Sequence, residues 1–146
     1  MRSSQWKGLQ APVGTNSFWA YPWGTSVTHK GIDIFQNIGK DVYSSTLGIV
    51  VYTHEGGKGG KSVMILGPKW RFHYYAHLDA FKAHTFKLVK PGTMIGSVGD
   101  SGNAKGKAPH LHYSIISPFP HWWLRDVKAV QGWKKMFYMD PVSGFK

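Results

Sequence analysis

Two imidazoles stand one residue apart in APHLHYSI, residues 108–115, at His110 and His112. The segment reads as a strand, in which residues i and i+2 point to one face with α-carbons ~7 Å apart, close enough for both rings to serve one centre. A second cluster, HKGID at residues 29–33, sets His29 and Asp33 four apart. On a helix they would share a face, but Gly31 and the β-branched Ile32 and Ile34 argue for strand or turn. A fully extended chain would hold the two α-carbons ~13 Å apart, so it must bend near Gly31 if both side chains are to meet at one ion. The third element is YYAHLD, which ends a strand on which strict alternation puts His73, Tyr75 and His77 on one face. Three strands can thus aim imidazoles at a common groove.

The chemistry open to such a groove is narrow. The chain has no cysteine, which excludes disulfides and thiolate-ligated metal sites, so a metal here must be held by His, Asp or Glu. A catalytic zinc keeps three protein ligands and an open position for water, whose pKa falls to ~7 on the metal. A proton acceptor must stand beside that water. The sequence contains no HExxH, and its only glutamate, Glu55, lies in a Gly- and Lys-rich turn. Histidine is therefore the expected general base, which accounts for more imidazoles than ligation needs. Of the eight histidines, His54, His84 and His121 have no partner motif and read as surface residues, and His73 reads as a hydrogen-bond partner of a cross-strand neighbour. Asp79 and Asp100 read as turn or cap residues.

The elements that must position this set are short strands. With 146 residues, 18 glycines, 8 prolines and 15% aromatics, the composition favours one mainly β domain. Strand patterns run through GIDIF, DVYSSTLGIVVYTHE, KSVMILG, WRFHYYAHL, the Gly/Pro-punctuated LVKPGTMIGSVGDSGNAKGK, and APHLHYSI. Residues 1–27 read as an irregular arm packed on the domain formed by 28–146. A short helix is expected around Leu124–Gln131, and Trp122, Trp123, Trp133, Phe137 and Tyr138 are expected to cover a sheet face.

The net charge of +11 draws polyanions: nucleic acid, anionic lipid or acidic wall polymers. The lysines are scattered in short groups without a nucleic-acid motif, which favours a solvated basic surface over a dedicated nucleic-acid site. The longest apolar run, Ile49–Tyr52, is far below the ~20 residues of a membrane span, so no transmembrane segment is expected. The start MRSSQWKG has charge but no apolar stretch behind it, hence no signal peptide in the chain as it stands.

HKGID, YAHL and HLH, in that order, resemble the lysostaphin/LytM-type zinc metallopeptidases, whose pattern is HxxxD, a YAHL-like strand, then HxH. The similarity runs from about Thr28 to Tyr113 and takes in IGKDVYSSTLGIVVY and KPGTMIGSVGDSGNAKGKAPHLHY. The resemblance implies a twisted antiparallel β-sheet with a metal-binding groove, the duplicated hybrid motif fold. It implies one Zn2+ held by His29, Asp33 and His112, with His77 and His110 as the catalytic pair. The implied activity is a peptidoglycan endopeptidase of the bacterial cell envelope, periplasmic or secreted. It would act as a monomer on stem or cross-link peptides, with its basic surface in contact with anionic wall polymer. Ser114 departs from the family, which often has an acidic residue there, and a Trp-rich segment precedes Asp140-Pro141. Two rivals stand beside this reading: a catalytically inactive wall-binding or hydrolase-activating domain of the same fold, and a basic nucleic-acid-binding β domain, which leaves the His/Asp set unexplained.

Overall fold

Apolar residues at alternate positions, interrupted by Gly, Pro and Asp turns, form strands that each need a neighbour to bury one face. A computed structural model of the chain describes residues 31–119, 128 and 130–139. In it the strands are β1 (Ile32–Phe35), β2 (Asp41–Tyr43), β3 (Gly48–Glu55), β4 (Lys61–Leu66), β5 (Phe72–Phe81), β6 (Leu88–Val89), β7 (Met94–Val98), β8 (His110–Ile116) and β9 (Tyr138–Met139). They pair into one antiparallel sheet in the order β1-β8-β5-β4-β3-β6, with β7 joining β2 to β5 and β9 added to β8. The mainly β class expected from the strand patterns and the antiparallel sheet implied by the resemblance are both observed.

One face of this sheet is the core. Ile32 and Ile34 of β1, Val50 of β3, Val63 and Ile65 of β4, Tyr75 and Leu78 of β5, Ile95 of β7, and Leu111 and Tyr113 of β8 are all buried in a single cluster. Core neighbours on one strand are an even step apart on β1, β4 and β8, whereas β5 breaks the rule between Tyr75 and Leu78 and β7 between Ile95 and Val98.

That break matters for the site. From Phe72 to Ala76 β5 pairs with β8, and from Leu78 onward it pairs with β7. At the fork the β4–β5 register slips, and His77 adopts φ +62°, the left-handed region that a β-branched side chain would resist. Strict alternation put His73, Tyr75 and His77 on one face, but His73 and Tyr75 point into the core. The bulge at Ala76–His77 turns His77 to the opposite face, beside His110 and His112.

His73 does hydrogen-bond across strands, its Nδ1 2.6 Å from the Tyr113 hydroxyl. Asp79, read as a turn residue, instead lies inside β5 at an irregular point of the ladder with β7. Residues 1–30, including the arm, and most of the helix expected at Leu124–Gln131 lie outside the described residues, as do His121, Trp122 and Trp123. Val130 is in a turn, and a 3₁₀ segment follows at Gly132–Met136. Among the described residues no helix is long and apolar enough to cross a membrane.

Candidate active site

The groove side of the sheet is set by the β1–β8 register. Asp33 stands directly opposite His112, and Phe35 opposite His110, so the two imidazoles and the carboxylate share a face. Asp33 Oδ1 lies 3.1 Å from His112 Nδ1 and 3.9 Å from His110 Nε2. Phe35 packs on the His110 ring, with centroids 5.1 Å apart, and Tyr74 meets His112 edge-on at 6.4 Å. The His77 ring sits 4.9 Å from that of His110 and 6.0 Å from that of His112. Four of the five residues singled out by spacing and motif therefore converge. The fifth, His29, lies outside the described residues. The chain bends at Gly31 as expected, and its lack of a side chain has a further cause: a β-carbon there would collide with the Tyr113 carbonyl and the Ser114 hydroxyl of β8.

Backbone carbonyls fix the two outer imidazoles. His77 Nδ1 is 2.8 Å from the Ser101 carbonyl, and His110 Nδ1 is 2.9 Å from that of Ala108. A carbonyl only accepts, so each Nδ1 carries a proton, and in the neutral form of either ring the lone pair is on Nε2. Burial pushes the His77 imidazole down to about 4, offset in part by its bond to the Ser101 carbonyl and reinforced by the neighbouring His110 and His112. At neutral pH His77 is thus an uncharged proton acceptor.

The carbonyls come from one loop, Gly99–Pro109, which fills the fork between β7 and β8. Its Ser101 hydroxyl donates to the Leu78 carbonyl at 2.7 Å and accepts from the Lys61 amide at 3.0 Å, so the loop is stitched to the paired residues of β4 and β5 just past the bulge. The turn Gly56–Gly60 packs against it at backbone distance. Gly102, at φ +70°, is the contact point, and a β-carbon there would collide with the Lys58 carbonyl and the Gly60 amide. Ser101 was not legible as a functional position, because it contributes through its carbonyl and through a hydroxyl that ties loops together. The surrounding run DSGNAKGK was the only sign, as a turn cluster.

His112 is held from its far side as well: its Nε2 lies 3.0 Å from Ser114 Oγ. On the metal question, the oxygen and nitrogen donors of Asp33 and His112 are 3.1 Å apart, close to the ~3.3 Å edge of a tetrahedron with bonds of ~2.0–2.1 Å. The pair fits a small divalent cation. Among the described residues no group of three or more His, Cys, Asp or Glu side chains could hold a metal.

Three imidazoles gathered with a carboxylate on one face of an antiparallel sheet are the kind of cluster a hydrolytic metalloenzyme uses. The chain belongs to peptidase family M23, whose family model matches residues 27–121, and this is a family of metallopeptidases. It is similar to the L-Ala–D-Glu endopeptidase of Bacillus subtilis, with 33% identity over 133 residues, 75% of this chain and 41% of that protein. Among solved structures it resembles the catalytic domain of lysostaphin from Staphylococcus simulans, with a TM-score of 0.73 at 25% identity, covering 99% of this chain and 98% of that one. It also resembles a zinc-containing peptidase from Vibrio cholerae, with a TM-score of 0.62 at 31% identity over 73% of this chain and 33% of that one. The chain spans 41% or less of the length of the curated relatives it matches.

Proposed function

We propose that this chain is a zinc-dependent endopeptidase that hydrolyses peptide bonds in the stem or cross-link peptides of bacterial peptidoglycan, acting as a monomer in the cell envelope. Support for peptide hydrolysis comes from the M23 match and from relatives named as peptidoglycan endopeptidases. The observation that carries the site reading is the pair of imidazoles, His77 and His110, each bound through Nδ1 to a backbone carbonyl and set beside Asp33 and His112.

In this reading Asp33 and His112, joined by His29, would hold the ion. Zinc bound there supplies Lewis acidity, acidifying water and polarising a carbonyl. The remaining work falls to the chain. Asp33, buried in the wall of the groove, and the β1–β8 register hold the donors at a fixed spacing. His77 and His110, each pinned by a backbone carbonyl, present Nε2 as proton acceptor for the attacking water. Whichever imidazole takes the proton becomes a donor at the same atom. It can then hydrogen-bond the oxyanion of the tetrahedral species and return the proton to the leaving amine. The low proton affinity of His77 favours that return. The surplus of positive charge over the chain would hold it against anionic wall polymer.

The test is release of soluble muropeptides from purified sacculi of several cross-link chemistries, with and without chelator. Chelation should abolish release, and His77→Ala and His110→Ala should each lower it ~10²- to 10⁴-fold while the protein stays folded and zinc-loaded. A zinc-loaded wild type that releases nothing from any of these sacculi would sink the peptidase reading and favour the wall-binding or hydrolase-activating one.

A further inference from the structure

Ser114 follows His112 by two residues on β8 and shares its face of the sheet. Its hydroxyl is buried, lies 3.0 Å from His112 Nε2, and occupies space left open by Gly31. The other ring nitrogen, Nδ1, faces Asp33 Oδ1 at 3.1 Å. The imidazole is therefore gripped at both ends by groups of different character.

A neutral imidazole has one N–H and one lone pair, and a carboxylate only accepts. With no cation between Asp33 and His112, the proton belongs on Nδ1, pointing at the carboxylate, and Nε2 needs a donor. With a cation held between them, Nδ1 must offer its lone pair, the proton sits on Nε2, and Nε2 needs an acceptor. A hydroxyl serves both needs by rotating about its C–O bond. A carboxylate at this position could only accept, and alanine would offer nothing.

We propose that Ser114 is a positioning residue that holds the His112 ring in both tautomers, so that the ring is already oriented when metal arrives and stays oriented after it has bound. This rests on reading Asp33 and His112 as metal donors. Outer partners of ligating histidines tune metal affinity by ~10- to 100-fold, which sets the size of the expected effect.

The experiment measures zinc affinity by competition with a chelating dye for wild type, Ser114→Ala, Ser114→Thr and His112→Ala. Beside it, imidazole ¹⁵N–¹H spectra of the wild type are recorded metal-free and zinc-loaded. Ser114→Ala should bind zinc ~10- to 100-fold more weakly, and Ser114→Thr should restore most of the loss. In the wild type the His112 proton should move from Nδ1 to Nε2 on loading. The proposal is overturned if Ser114→Ala binds within about twofold of wild type while His112→Ala loses zinc. It is equally overturned if the His112 proton stays on one nitrogen in both states, a result that needs no variant to fold. Wild-type zinc affinity in His112→Ala would instead reject the ligand reading beneath it, and the proposal with it.

Discussion

Lowering the pH should cost this fold a measurable and assignable part of its stability through His73. The ring lies in the core, bonded through Nδ1 to Tyr113, whose hydroxyl is 2.6 Å from Ser45 Oγ, which in turn is 2.8 Å from the Tyr75 hydroxyl. Burial, with the nearby Arg71 charge second, pushes its proton affinity down from 6.5 to about 4. The folded chain therefore refuses a proton that the unfolded chain accepts. Stability from this group is complete above about pH 6.5 and is lost progressively as pH falls toward 4, below which the loss is constant. At ~1.4 kcal/mol per tenfold, the full interval amounts to roughly 3 kcal/mol, of which about 2 kcal/mol is gone by pH 5. That is a large share of the 5–15 kcal/mol typical of a domain. The assay is urea unfolding between pH 8 and pH 5, in the presence of chelator so that metal loss does not enter, for wild type and His73→Gln. The variant starts less stable, but its decline between the two pH values should be shallower than that of wild type by about 2 kcal/mol. Parallel declines in the two proteins would refute the reasoning, since His77 and every other group titrate in both.

Two further outcomes follow from the same geometry. Tyr113→Phe removes the hydroxyl that joins His73 to Ser45 and should destabilise by ~1–3 kcal/mol, read as a lower urea midpoint at unchanged slope, with the active-site face intact. Gly102→Ala forces a side chain into positive φ against the Lys58 carbonyl and should cost roughly 2 kcal/mol or more. Because the same loop supplies the Ser101 carbonyl to His77, muropeptide release at low temperature, where the variant is still folded, should also fall. Full activity in a destabilised Gly102→Ala would show that the loop does not set the His77 ring.

The succession of strand segments along the chain and the shared face of His110 and His112 were legible in the sequence because they rest on the two-residue period and on turn residues, both local. Motif order likewise placed Asp33, His77, His110 and His112 in one candidate site, and the fold brings these four together. What alternation alone could not reveal is the side on which His77 falls. A bulge exists only when two partner strands disagree in register, and β5 meets that disagreement where it leaves β8 for β7. The carbonyls of Ser101 and Ala108 were equally invisible, since every residue has a carbonyl and only tertiary packing selects which ones face an imidazole. So it is with Ser114 and with the buried chain from His73 to Tyr75. Sequence fixes which side chains exist and their period along a strand, while hydrogen-bond partners separated by tens of residues are chosen by how the strands lie against one another.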